Sequence, residues 1–170
     1  GPPISAAAAR GHAEAVRVLA AHGADVNRYT AHPDPWTPLT MAAMAGREAV
    51  VAVLLAAGAD IGRGKQKSGK TALAIAVEQG HAAAQFRLGT MNFNGEGGPR
   101  DLVEARRLVG LAAEQGYAQA QSNLGGMYFE GNGGAKDHVE ARRLYGLAAE
   151  QGLEGAQYEL GRMCFEGHGG

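Results

Sequence analysis

From Leu88 the sequence reads LGTMNFNGEGGPRDLVEARRLVGLAAEQGYAQAQSN, from Leu124 it reads LGGMYFEGNGGAKDHVEARRLYGLAAEQGLEGAQYE, and Leu160 opens a third, incomplete copy, LGRMCFEGHGG. The spacing is 36 residues. A period of that size confines a chain to architectures in which one small unit stacks on the next. Each unit resolves into two helices. In the first, Ala120, Leu124, Gly125 and Tyr128 recur at helical spacing, and the small Ala120 and Gly125 admit a neighbouring helix. Gly131, Gly133 and Gly134 break it. Asp137 begins the second helix, with Glu140 three residues on. In that arrangement the Asp side chain caps an early amide and the Glu is expected to bond back; Asp101 and Glu104 repeat it. Ala141, Leu144, Tyr145 and Ala148 form the inner stripe, Arg142, Arg143 and Glu150 fall on the wet side, and Gly152 supplies a left-handed stop. A hairpin this small cannot bury its stripe alone, whereas a row of them can, which predicts a solenoid.

These units resemble Sel-1-like repeats, a branch of the tetratricopeptide superfamily with the pattern A-x-x-x-L-G-x-x-Y-x-x-G-x-G-x-x-x-D…A-A-x-x-G. The likeness covers about half the chain. Leu108 or Leu144 stands where the family has an aromatic in the second helix, and Asn92 and Cys164 stand at its Tyr, substitutions that predict a looser core locally. The N-terminal half has another rhythm. ISAAAARGHAEAVRVLAAHGADV, TPLTMAAMAGREAVVAVLLAAGADI and TALAIAVEQGH begin at Ile4, Thr37 and Thr71. They resemble the ankyrin repeat, in which Thr-Pro-Leu opens a short helix, Gly-His closes it, a second helix runs to Gly-Ala-Asp, and an extended finger leads onward. Thr40 or Ala74 occupies the place of the family's usual His. The segment from Ala74, AIAVEQGHAAAQFRLG, fits both patterns, with no Pro- or Ser-rich linker between them.

The expected fold is therefore all-α: an α–α solenoid of ankyrin-like helix pairs over residues 3–81, running continuously into Sel-1-like, tetratricopeptide-type hairpins over residues 82–170. The expectation includes a continuous apolar core across the junction, and so one rigid rod.

Residues 64 to 71, GKQKSGKT, satisfy the phosphate-loop pattern. That loop binds phosphate only where it joins a buried strand to a helix N-terminus. Eight residues separate VVAVLL from Gly64, and no later strand with a magnesium-binding Asp follows. In the ankyrin frame, Gly69, Lys70 and Thr71 end a finger and start the next helix, so the match is coincidental. What remains is a basic fingertip of Arg63, Lys65, Lys67 and Lys70, either a solvated turn or a contact for an acidic partner segment. The other finger, RYTAHPDPW from Arg28, carries Arg28, Tyr29, His32 and the only Trp, Trp36. Exposed aromatics beside Arg make binding anchors, although Trp36 directly precedes a helix start and is also placed to cover its end.

Composition narrows the function classes. The 16 basic and 17 acidic residues leave a net charge of -1, so no global field steers the chain toward nucleic acid or an anionic membrane. The longest apolar run, AVVAVLLAAGADI, is too short to span a bilayer. A single cysteine, Cys164, forms no intramolecular disulfide and suits a reducing, cytoplasmic setting. It falls on the inner stripe of its helix, where burial is expected to make it inert. The six histidines do not converge on a metal spacing, and no nucleophile–base set stands out, so no cofactor, metal or catalytic residue is expected. Gly1-Pro2 resembles the scar of a tag-cleaving protease, and the chain stops in a Gly-rich loop, so both ends are expected to be artificial boundaries.

The informative positions differ between repeats while the scaffold stays fixed. On the first helix of each unit they include Phe86, Arg87, Thr90 and Asn94; Ser122, Asn123, Gly126 and Glu130; and Tyr158, Glu159, Arg162 and Glu166. Spaced three or four apart, they are expected to form a stripe along the concave surface, where the tetratricopeptide resemblance implies that peptides dock. The expected function is a non-catalytic, monomeric adaptor for a protein or peptide partner. The alternative is a repeat segment of a larger enzyme or signalling protein whose chemistry lies elsewhere; a nucleotide hydrolase is disfavoured.

Overall fold

The computed structural model describes residues 3–30, 36–60, 71–96 and 98–167, and every regular element among them is an α-helix. The chain divides into two compact units, Gly1–Ala84 and Gln85–Gly170.

The first unit contains α1 (Pro3–Arg10), α2 (Ala13–Ala21), α3 (Pro38–Met44), α4 (Glu48–Ala56) and α5 (Ala72–Glu78). Helices α1, α3 and α5 pack side by side, α2 packs on α4, and α1 and α3 also pack on α2 and α4, their partners in sequence. The VVAVLL run lies within α4, so it is not the strand that a phosphate loop needs. The Thr37 hydroxyl caps α3 by accepting the Thr40 amide, and the Thr71 hydroxyl caps α5 by accepting the Ala74 amide, both at 3.2 Å. The motif's final Thr is thus an ankyrin-type helix cap; Gly64 to Lys70 lie outside the described residues. Thr40 bonds locally, with its hydroxyl 3.0 Å from that of Thr37. Val16, Leu39, Val50 and Leu54 are fully buried, each side chain contributing about 2 kcal/mol of transfer free energy. Polar bonds then fix the register of the helix pairs. Arg47 Nε donates to the Ala9 carbonyl at 3.4 Å, the Ala82 amide donates to Glu48 at 3.1 Å, and the Asp60 amide donates to Asn27 Oδ1 at 2.6 Å.

Helix α6 (Ala82–Asn94) enters the second unit at Gln85 and is followed by α7 (Leu102–Glu114), α8 (Ala118–Glu130), α9 (His138–Glu150) and α10 (Glu154–Glu166). From α7 onward each helix packs on the next. Leu108, Val109, Leu144 and Tyr145 are buried between small residues such as Ala105, Ala112, Ala120 and Ala141, which let the backbones close up. A side chain on Gly125 would press on the Ala141 carbonyl and the Tyr145 ring, both 3.3 Å from the position of a Cβ.

Asp101 and Asp137 cap α7 and α9 by accepting the Glu104 and Glu140 amides at 2.9 and 3.0 Å. The expected return bond from the glutamates is not made. The Asp101 and Asp137 amides already donate to the Asn92 and Tyr128 carbonyls of the preceding helices, both at 2.9 Å. With no donor left at the cap, the carboxylates turn outward. Glu104 accepts twice from Arg107, both at 2.7 Å, and Glu140 accepts from Arg143 at 2.8 and 2.6 Å. These fork-shaped bonds hold both carboxyls below their ordinary pKa.

Candidate functional site

The second unit carries a groove of about 470 Å³. Its walls come from three first helices: Thr90 and Phe93 on α6, Ser122, Asn123 and Gly126 on α8, and Gly155 and Glu159 on α10. Val109 and Tyr145 rise into it from α7 and α9. Met127, Glu130 and Asn132 complete it where α8 runs into its glycine turn. The floor is thus apolar and aromatic and the rim polar, the division found in peptide and small-ligand sites.

Tyr145 is the deepest polar side chain. It is only 6% exposed, and its hydroxyl lies under Gly126, 3.3 Å from where a Cβ at that residue would sit. Burial raises its pKa, and the nearby Glu159 carboxylate raises it further, so the hydroxyl stays protonated and able to donate.

Of the positions singled out in the sequence, the groove brings together Thr90, Ser122, Asn123, Gly126, Glu130 and Glu159. The others lie outside its lining. Arg87 and Asn94 both turn to Glu96 beyond the end of α6, donating at 3.3 and 2.8 Å. Phe86 packs on Tyr117 with ring centroids 5.3 Å apart. Tyr158 is 70% exposed. Arg162 is held on α10 by Glu159 at 2.7 Å and Glu166 at 3.2 Å, with its guanidinium over the Phe129 ring at 5.1 Å. Thr90 donates its hydroxyl to the Phe86 carbonyl at 2.7 Å. Residues absent from the candidate set also line the groove: Phe93, Asn132, Tyr145 and Gly155. Phe93 recurs as Phe129 and Phe165 at the repeat spacing, so a search for positions that differ between repeats passes over it.

In the first unit, Arg28 and Tyr29 are exposed, and the Thr30 amide donates to the Trp36 carbonyl at 2.9 Å, closing the base of the finger. Trp36 is half-buried and lines a hollow with Ala9, Met41, Met44 and Ala45. His32, Arg63, Lys65 and Lys67 lie outside the described residues.

Cys164 corrects an expectation. It is exposed, not buried, because the periodicity fixes the direction in which a side chain points and not whether a helix covers it. The helix that packs on α10 is α9, and Cys164 lies in the open cleft between them beside Arg142 and Leu147. Among the described residues no three His, Cys, Asp or Glu side chains gather as metal ligands, and no helix is long and apolar enough to cross a membrane.

Paired short helices, capped alike and stacked in register, define a helical-repeat protein of two kinds. The family model for ankyrin repeats in three copies matches residues 4–88, and that for the Sel1 repeat matches 82–117, 118–153 and 155–170. The chain belongs to the ankyrin-repeat and Sel1-repeat families. Both matches include residues 82–88, within the segment that fits both sequence patterns. Among solved structures, the chain is similar to a Sel1 repeat protein from Oxalobacter formigenes, at 40% identity over 54% of this chain and 37% of that one, with a TM-score of 0.52. It is also similar to c5321, a protective antigen present in uropathogenic Escherichia coli strains and displaying an SLR fold. That match has 30% identity over 98% of this chain and 28% of that one, with a TM-score of 0.58. The matched regions thus span about a third of the length of these structural relatives. No curated protein matches the chain. Ankyrin and Sel1 repeats are typical protein-interaction modules, generally without catalytic function, and the chain is a repeat scaffold.

Proposed function

We propose that this chain is a non-catalytic, monomeric adaptor that holds an extended peptide segment of a protein partner in the groove of its second unit. The observation that carries the reading is the groove itself: polar side chains of three successive first helices ring an apolar floor. The finger residues Arg28, Tyr29, His32, Trp36, Arg63, Lys65 and Lys67 belong to the same reading as a second contact, made by aromatic and basic groups. Phe86, Arg87, Asn94, Tyr158 and Arg162 flank the groove and act on the partner from outside it.

Random nonapeptides displayed on phage and selected against the chain test this. Gly155→Phe provides the control, because no atom lies within 4 Å of a Cβ placed there, so the new ring fills the groove without disturbing the packing. Selected peptides are expected to bind the native chain and to lose binding to Gly155→Phe at unchanged helicity and melting temperature. Failure to select any peptide, or equal binding to the blocked variant, overturns the groove reading.

The length of the structural relatives favours a second reading, in which the chain is the interaction segment of a longer enzyme or signalling protein. An antibody raised against it and used on the source organism's extract distinguishes the two, by a band near 17.5 kDa or well above it.

A further inference from the structure

We propose that the groove selects a cationic side chain, Lys or Arg, which sits over Tyr145 with Glu130 as its counter-charge. The inference rests on the peptide-binding reading above and adds the chemical class of the ligand.

Three observations converge. The lining contains two carboxylates, Glu130 and Glu159, and no Lys, Arg or His. Glu159 is already engaged by Arg162, whereas Glu130 makes no ion pair among the described residues. Glu130 is also poorly placed for helix stability. It is the last residue of α8, where the helix dipole presents its negative end and disfavours a carboxylate. A charge that the fold neither pairs nor benefits from, on the rim of a groove, is available to a ligand.

Tyr145 supplies the second observation. It is more than nine-tenths buried, yet its hydroxyl makes no hydrogen bond to any described residue, and it reaches the groove beneath Gly126. The polar tip of a nearly buried side chain, left without a protein partner and open to the groove, is satisfied there by water or by a ligand. The phenol oxygen accepts a hydrogen bond from an ammonium or guanidinium. The third observation is the aromatic floor. Phe93, whose ring already has the Arg100 guanidinium 5.0 Å from its centre, offers apolar contact to the alkyl stem of a basic side chain, and Met127 and Val109 offer the same to its neighbours. The side-chain amides of Asn123 and Asn132 stand on the rim, able to pair with peptide backbone. An acidic peptide would meet two carboxylates and no cation in the lining.

The test reads the composition of the selected nonapeptides and their affinities. One Lys or Arg with an adjacent apolar residue is expected in most selected sequences, and their binding should weaken at raised ionic strength. Glu130→Gln is expected to reduce affinity about fivefold, the size of a partly exposed charge interaction. Tyr145→Phe is expected to reduce it less, and Glu130→Lys should abolish the preference for basic residues. Because Glu130 is on the helix end that disfavours its charge, Glu130→Gln should fold as well as the native chain, and a thermal melt verifies this. Peptides blocked by Gly155→Phe but showing no basic preference, or unaffected by Glu130→Gln, overturn this inference and leave the groove reading standing. Absence of any groove-dependent peptide overturns both.

Discussion

Gln151 Nε2 donates to Gln121 Oε1 at 2.7 Å, and 36 residues earlier Gln115 Nε2 donates to Gln85 Oε1 at the same distance. Gln121 passes the chain on by donating to the Ala113 carbonyl at 3.3 Å and is buried, so one side chain links α8 to the ends of both α7 and α9. A polar ladder of this kind sets the register of stacked hairpins, because a slip leaves buried amides unpaired. Gln121→Ala removes two bonds at once and leaves two groups to be solvated. It is expected to destabilise the second unit by about 1–2 kcal/mol. Gln157→Ala, which removes one bond on an exposed side chain, should cost less than about 0.5 kcal/mol. Urea unfolding followed by circular dichroism checks both; equal losses would remove the ladder's structural role.

Gly89 and Gly161 occupy the same place two repeats apart, and alanine should have opposite effects at the two. A Cβ on Gly89 would come within 2.7 Å of Val109 Cγ2 and 3.2 Å of the Ala105 carbonyl, so α6 or α7 must move. Overpacking of this kind costs about 1–3 kcal/mol and outweighs the helix-propensity gain of about 1 kcal/mol. Nothing lies within 4 Å of a Cβ on Gly161, so Gly161→Ala keeps the gain and should stabilise the chain by up to about 1 kcal/mol. The melting temperatures of the two variants should move in opposite directions.

The repeat period made the helices, the capping Asp101 and Asp137 and the buried Leu144 stripe legible in the sequence, because each follows from local spacing. Competition between partners is not local. Arg87 and Asn94 have the spacing of groove residues, but Glu96 lies closer and draws both away. Glu104 and Glu140 are placed to bond back to the caps, but carbonyls from the preceding helices reach those amides first. Phe93 is invisible to a search for variation because all three copies carry Phe. Yet those three side chains meet different surroundings: Phe93 floors a groove, Phe129 stacks on His138 with centroids 4.8 Å apart, and Phe165 is 93% exposed.

The Arg107–Glu104 and Arg143–Glu140 pairs give the second unit an acid sensitivity of definite sign. Both carboxyls have folded-state pKa values below the ordinary 4.5, the hydrogen bond from the arginine being the main cause. Their contribution is therefore present above pH 4.5 and is lost as the pH falls through the depressed values. Both pairs are largely solvent-exposed, so the contribution of each is small. The melting temperature of the native chain should fall on acidification below about pH 4.5. In the Arg107→Gln, Arg143→Gln double variant the fall should be shallower, because the two folded-state carboxyl pKa values return toward their unfolded values. Identical pH profiles would show that the pairs do not contribute.

Tyr128 and Cys164 are the same repeat position with different cover. The Arg106 guanidinium lies 3.8 Å from the centre of the Tyr128 ring and donates to the Ala135 carbonyl at 3.2 Å, so ring and cation together line the cleft between α7 and α9. One repeat on, Arg142 stands beside Cys164 in a cleft whose lining among the described residues includes no aromatic ring. Native Cys164 is therefore expected to react with an aromatic disulfide reagent at a rate comparable to that in denaturant, and strong protection in buffer would contradict the exposure described here. Cys164→Tyr should recreate the earlier arrangement by placing a ring under Arg142. The expected gain is about 0.5–1 kcal/mol in urea unfolding. Arg142→Ala combined with Cys164→Tyr should lose that increment, because the ring alone buries less without the cation above it. A double-mutant cycle across the two positions measures the coupling directly, and a coupling energy of zero would show that the Arg106–Tyr128 contact does not transfer between repeats.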